Sequence, residues 1–215
     1  MKPLVPLRII KLGGSLISLE DLRERFHEWF QSQTPARNLI VVGGGQAVEA
    51  IRELDAIHRL PAHLTHWLCV DLMSVTATLA SEILGFEKPI STPKELDDFL
   101  TQQSVIPVTA CVQPTAYYTP SIASQKNCKL PESWECTSDS ISAWLAYELA
   151  ADQLVLLKST ESEFTASTSL SPDSIRALAG CNAVDPIFPY ASQHLRDIRL
   201  VNLRTWRKLP ACDQH

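Results

Sequence analysis

The chain has 215 residues, 45% of them hydrophobic, and a formal net charge of −5 with acidic and basic residues interspersed. That is enough for one sizeable core, and the lack of any basic tract argues against a nucleic-acid-binding surface. The six cysteines (Cys69, Cys111, Cys128, Cys136, Cys181, Cys212) show no C-x-x-C spacing and read as buried free thiols, not a zinc set or a disulfide framework. Met1-Lys-Pro-Leu-Val-Pro6 is too short and proline-broken for a signal peptide, and no apolar run approaches a membrane span, so a cytoplasmic protein is expected.

Leu7-Arg-Ile-Ile-Lys-Leu12 is a short apolar run with β-branched residues and reads as a buried strand. Ser18 to Phe30 follows, with Leu19, Leu22, Phe26, Trp29 and Phe30 at helical spacing and Ser18 and Asp21 placed as a capping box. Asn38-Leu-Ile-Val-Val42 is a second strand after a loop containing Pro35. Strand, helix and strand in this order form a βαβ unit with parallel strands. Helices are predicted from about Gln46 to Arg59, over Ala62 to Leu84 with Gly85 as the stop, and over Glu95 to Leu100. Val105 to Val112 reads as a strand that Pro107 assigns to an edge or a strand start. Gln113 to Cys136, rich in Pro, Ser, Thr and Tyr, reads as a long functional loop or an excursion such as a hairpin.

Ser138 to Ala151 is a helix, capped from among Thr137 to Asp139. Gln153-Leu-Val-Leu-Leu-Lys158 is a buried strand that ends in lysine. Pro172 to Leu178 is a helix with proline at its first position and Gly180 closing it, and Arg199 to Leu203 is a last strand. The alternation gives an α/β fold with a mostly parallel sheet, no internal repeat, and one domain over residues 1–215.

Five of the seven glycines lie in two loops that each follow an apolar strand: Gly13-Gly14, then Ser15, and Gly43-Gly44-Gly45. Glycine lets a backbone approach an anion closely, with N–H groups aimed at it. One such loop is a tight turn; two point to a phosphate site. Lys11 and Lys158 occupy equivalent places near the carboxyl ends of their strands, where ligands of open parallel sheets bind. Two lysines there can bracket a transferring phosphoryl group. Asp139, at a helix start, can hold both lysines, accept a proton, or simply cap the helix. Arg52 and His66 can clamp an acceptor phosphate, or be a solvated helix face and a buried histidine. The glycines do not fit a P-loop and fit a dinucleotide fingerprint only weakly.

Lys11-Leu-Gly-Gly-Ser15, Val41-Val-Gly-Gly-Gly45, Thr137-Ser-Asp-Ser-Ile-Ser-Ala143 and Leu154-Val-Leu-Leu-Lys-Ser-Thr160 resemble the four motifs of the amino acid kinase family, in order and over nearly the whole chain. The resemblance implies a three-layer α/β/α sandwich and transfer from ATP, with Mg2+ carried by the nucleotide and no metal ligands of the protein's own. It implies an acceptor half over about 1–136 and a nucleotide half over about 137–215, a small-molecule substrate and a homo-oligomer. By resemblance Lys11, Asp139 and Lys158 are catalytic, and Gly13, Gly14, Ser15, Gly43, Gly44 and Gly45 hold phosphates. Arg52, His66, Thr137 and Ser138 meet the acceptor, and Ser159, Thr160 and Asp185 meet the nucleotide. The segments Gln46 to Arg52, His66-Trp67, Trp134 to Asp139 and Val184 to Tyr190 resemble the branch that phosphorylates a furanmethyl phosphate. Where the family has T-D-x-D-G, this chain has Ser159-Thr-Glu-Ser-Glu-Phe164, which predicts weak ATP binding because of Glu161 and Glu163. A non-catalytic ligand-binding or regulatory protein on the same fold is the alternative.

Overall fold

The computed structural model describes residues 5–102, 107–159 and 169–206. Its sheet has five parallel strands: β1 (Leu7–Leu12), β2 (Arg37–Val42), β3 (Thr109–Val112), β4 (Gln153–Lys158) and β5 (Ile198–Asn202), in the order β3-β2-β1-β4-β5. The helices are α1 (Leu22–Gln31), α2 (Gln46–His58), α3 (Ala62–Leu84), α4 (Pro93–Thr101), α5 (Pro120–Gln125), α6 (Ser138–Glu148), α7 (Pro172–Gly180) and α8 (Phe188–Ala191). Chain order runs outward from β1 to β3, then returns to β4 on the other side of β1. The topological switch point therefore lies between β1 and β4, where an open parallel sheet leaves a crevice for a ligand.

Side chains alternate across a strand, and this alternation builds two cores. Leu7, Ile9, Leu39, Val41, Leu154, Leu156, Ile198 and Leu200 pack on one face against α6, α7 and α8. Ile10, Leu12, Ile40, Val42, Val155, Leu157 and Val201 pack on the other against α1. Helices on both faces make the three-layer α/β/α sandwich expected from the sequence. α3 is shared: Val70 and Met73 enter the first core, Ala77, Ala80 and Leu84 the second. The same alternation puts Lys11, two residues after Ile9, and Lys158, two after Leu156, on the α6 side of the sheet.

Several elements depart from expectation. Ser18 ends a short 3-10 turn over Gly14–Ser18, and α1 begins at Leu22 without a side-chain cap; Asp21 instead pairs with Arg25 at 2.7 Å. The capping box is therefore absent, because the loop closes into the 3-10 turn first. The stretch from Gln113 to Cys136 contains a 3-10 turn and α5, and no hairpin. β3 is an edge strand, as Pro107 implied, and begins at Thr109; residues 105 and 106 of the predicted strand lie outside the described residues. α3 is long and apolar enough by length and composition to cross a membrane. Its interspersed Thr, Ser, His and Asp residues hide that length from a search for unbroken apolar runs, and one side of it is core. Cys181 is exposed where a buried thiol was expected, because it follows the last turn of α7 at the surface.

Candidate active site

The two glycine loops leave adjacent parallel strands and touch. A Cβ on Gly14 would stand 2.1 Å from the Gly45 nitrogen and 2.5 Å from the Gly43 oxygen, and one on Gly45 would stand 2.6 Å from the Gly14 oxygen. Gly45 also has φ +58°, a backbone that L side chains rarely adopt. Backbone meets backbone here, so glycine is required on both sides of the contact. Gly13 and Gly43 act differently. Their N–H groups donate to Leu157 O at 2.8 Å and Leu12 O at 2.9 Å, extending the strand ladder. Gly44 is hemmed in by Val48, whose Cγ2 would lie 2.3 Å from an added Cβ. Ser15 reaches across to Ser159, with the hydroxyls 2.7 Å apart, and so ties the loop after β1 to the end of β4.

α6 faces these loops with its N-terminus. Asp139, in its first turn, is almost wholly buried and lies between the two lysines: Lys11 Nζ is 2.9 Å from Oδ1 and Lys158 Nζ is 2.5 Å from Oδ2. Burial pushes the Asp139 carboxyl up, but Lys11 and Lys158 outweigh it and hold the group down at about 2. Burial brings the Lys11 ammonium down to about 8, with Asp139 opposing that fall and Lys158 adding to it. Between these limits the site holds a carboxylate with a cation on either side. The Gly43 backbone lies against it, 3.6 Å from Lys11 Cε by its would-be Cβ.

Beside the second glycine loop opens a cavity of about 190 Å3, lined by Gly44, Val48, Arg52, His66, Trp134 and Thr137 among others. Val70, Met73 and Ile141 give it apolar walls and Ser138 a polar one. Arg52 lies over the Trp134 ring, 4.4 Å from the centroid, and pairs with Glu49 at 3.2 Å. The Trp134 Nε1–H donates to Asp55 at 2.7 Å, which fixes the ring beneath the guanidinium. His66 is buried, with Nε2 3.2 Å from the Tyr118 hydroxyl. Burial lowers its pKa, which favours the neutral imidazole, against the Ser133 backbone and Glu132, which favour the charged form.

The expected site residues therefore fall into two adjoining groups, the Lys11–Asp139–Lys158 cluster at the glycine loops and the Arg52–His66 cavity, with Thr137 and Ser138 where they meet. Asp185, expected at the nucleotide, is turned toward the start of α6. Its carboxylate is buried against the start of α6, where it accepts from Thr137 and Ser140. Thr160, Glu161 and Glu163 lie outside the described residues. Sequence reasoning missed Trp134 and Tyr118 as partners of Arg52 and His66. An aromatic residue inside a Ser-, Thr- and Pro-rich loop was the available signal.

The fold resembles solved kinases. Uridylate kinase from Archaeoglobus fulgidus superposes with a TM-score of 0.57 at 15% identity, covering 90% of this chain and 89% of that one. UMP kinase from Bacillus anthracis gives 0.57 at 11% identity over 94% and 89%. Aspartate kinase from Synechocystis gives 0.56 at 14% identity, covering 90% of this chain but 37% of that longer one. In sequence, the [5-(aminomethyl)furan-3-yl]methyl phosphate kinase of Methanocaldococcus jannaschii is 22% identical over 186 residues, 85% of this chain and 81% of the relative. The model of the amino acid kinase family matches residues 6–182, a span that runs from β1 past α7, and the chain belongs to that family.

Proposed function

We propose that the protein is an ATP-dependent small-molecule kinase that moves the γ-phosphoryl group onto a phosphate or carboxylate acceptor. The observation that carries this reading is the joint seat of Lys11 and Lys158 on Asp139, beside two converging glycine loops. Phosphoryl transfer needs little covalent chemistry from a protein; preorganised positive charge is most of the catalysis. In this reading the lysines flank the group in transit, and Asp139 keeps them placed and charged. Gly14, Gly44 and Gly45 offer N–H groups to phosphate oxygens. Gly13 and Gly43 hold the loops in register instead, since their N–H groups are already engaged. Residues after 137, with Ser159 and Thr160, receive the nucleotide and its Mg2+. The first 136 residues supply most of the acceptor cavity.

The cavity suits an acceptor with a flat or apolar body and one anionic group. The Methanocaldococcus relative is named for such a molecule, a furanmethyl phosphate, which makes it the first acceptor to try. Incubating the protein with labelled ATP, Mg2+ and a panel of phosphorylated and carboxylate acceptors should yield a labelled product, and ATP–Mg2+ should raise the melting temperature. No transfer to any acceptor, with nucleotide stabilisation intact, would favour the second reading, a ligand-binding protein. That alternative draws on the sequence after β4, which has Glu161 and Glu163 where the family has T-D-x-D-G.

Arg52 should act on binding. Arg52→Ala is expected to raise the acceptor KM by about ten- to a hundredfold, the scale of one lost charge-assisted hydrogen bond, with kcat changed much less. An unchanged KM would return Arg52 to a solvated helix face.

We further propose a homo-oligomer built on α3. Leu64, Leu68, Leu72, Val75 and Leu79 recur every three or four residues along it; Leu64, Val75 and Leu79 are exposed, as are Leu54 and Ile57 of α2. A continuous apolar stripe of this kind marks an interface, and a two-fold pairing of the same face is the commonest solution. Sedimentation should find a dimer or larger, and Val75→Glu with Leu79→Lys should shift it to monomer. A wild-type monomer at assay concentrations would refute the interface.

A further inference from the structure

We propose that Asp185 is a positioning residue: its buried carboxylate gathers the start of α6 and thereby sets where Asp139, and through it both lysines, stand. The inference rests on the kinase reading only for its effect on turnover.

The first N–H groups of a helix have no partner within it and are ordinarily met by the N-cap side chain. In α6 that cap is weak. The Thr137 hydroxyl is 3.5 Å from the Asp139 N–H, because it is turned to donate to Asp185 Oδ2 at 2.8 Å. The same oxygen accepts the Thr137 N–H and the Ser140 N–H, each at 3.0 Å. Oδ1 accepts from the Ser140 hydroxyl and from the Ile187 N–H, the latter at 3.1 Å. Five donors thus converge on one side chain that enters the helix start from 45 residues downstream. Four of the five belong to Thr137 and Ser140, which stand on either side of Asp139 in the chain.

A carboxylate is the side chain that can do this. It accepts at both ends, whereas an asparagine would turn an NH2 group against donors at one of them. It comes at an electrostatic cost: burial and the nearby Asp139 charge both raise the Asp185 pKa, and the Ser140 and Thr137 bonds work against them. The helix start is therefore fixed by a group that is itself expensive to bury, in the place where the orientation of Asp139 matters.

Asp185→Asn tests the idea. The groups facing Lys11 are Asp139 from α6 and Lys158 from β4. If the helix start shifts, the attraction of Asp139 weakens, and the titration of Lys11, followed by NMR with lysine labelled at Cε, should move down from about 8 by about a unit or more. Turnover per folded molecule should fall by on the order of tenfold or more. Leu178→Ala, which opens a hole in the buried face of α7, should lower the melting temperature without either change. If Asp185→Asn behaves like Leu178→Ala, Asp185 is structural only and the proposal is overturned. Should Asp185→Asn not fold, Ser140→Ala removes a hydroxyl donor from the other side and is read the same way. The lysine titration needs no substrate. A shifted Lys11 in a protein that phosphorylates nothing would therefore uphold the positioning role and sink the kinase reading.

Discussion

Replacing Lys11 by alanine is expected to lower turnover by about a hundredfold or more while ATP affinity changes only a few-fold. That is the scale on which one preorganised donor to a transition state acts, and an interaction made chiefly in the transition state appears in the rate. Lys11 can be that donor because it is buried, held by Asp139 at 2.9 Å, and beside the glycine loops. Lys158 stays on Asp139 in the variant, so the carboxylate keeps one cation. Removing the other partner of a buried pair still destabilises, and rates must be compared on protein shown to be folded. The pH profile offers a second check. With Lys11 titrating at about 8, turnover should decline as pH rises through that value, and Lys11→Arg should lose this limb, since guanidinium stays charged. Linkage for stability runs the other way for this lysine. Its folded pKa lies below the unfolded 10.5, so the cost of burying the charge is present below about 8 and is relieved between there and 10.5. Asp139, lowered from 3.8 to about 2, contributes stability above 3.8 that is lost as pH falls through about 2. Normal turnover at saturating ATP with weakened affinity would make Lys11 a ground-state binding residue.

Gly14→Ala should be nearly as severe by a different route. The added methyl would lie 2.1 Å and 2.5 Å from backbone atoms of Gly45 and Gly43, and backbone cannot step aside as a side-chain tip can. The loops must part by on the order of an ångström, and such a displacement at a reacting centre costs about a hundredfold in rate. The overpacking should also cost about 1–3 kcal/mol of stability. Gly180→Ala is the control: nothing lies within 4 Å of its would-be Cβ at the end of α7, so that variant should be neutral or slightly stabilised. Wild-type turnover in a folded Gly14→Ala protein would show that the loops tolerate separation. The left-handed residue is Gly45, and at Gly44 the limit is the Val48 side chain.

Much of this is legible in the chain. The strands β1, β2 and β4 carry continuous apolar stretches, Ile9-Ile10, Leu39 to Val42 and Leu154 to Leu157, because both sheet faces are covered, and such runs are hard to misread. Lys11 and Lys158 can be paired on paper because a period of two fixes their face. The reach of Asp139 to both lysines is not decided by sequence, because a carboxylate at a helix start is as good a cap as a ligand. The role of Asp185 is hidden: four of its five donors come from residues 45 and 48 positions away, and nothing local to Val184-Asp-Pro says that its carboxylate turns inward. Arg52 looks like a surface helix residue because Trp134, which gives it a platform, comes 82 residues later in a polar loop. Ser18 and Asp21 mislead because a capping box is a local pattern, and here the local competitor, a 3-10 turn, wins.

The cavity walls and the charged cluster are drawn from separate parts of the chain. Val48, Arg52, His66, Met73 and Trp134 come from α2, α3 and the loop before α6, and neither Lys11 nor Lys158 lines the cavity. The two meet at Gly44, Gly45, Thr137 and Ser138, and little else is held in common. If the protein is the proposed kinase, a change of acceptor could therefore be written into two helices and one loop without rewriting the charged cluster. That division lets one scaffold be re-addressed to new small molecules by substitutions that leave its charge geometry alone. For an engineer, libraries for altered specificity belong at positions 48, 52, 66, 73 and 134, with the glycines and both lysines held constant.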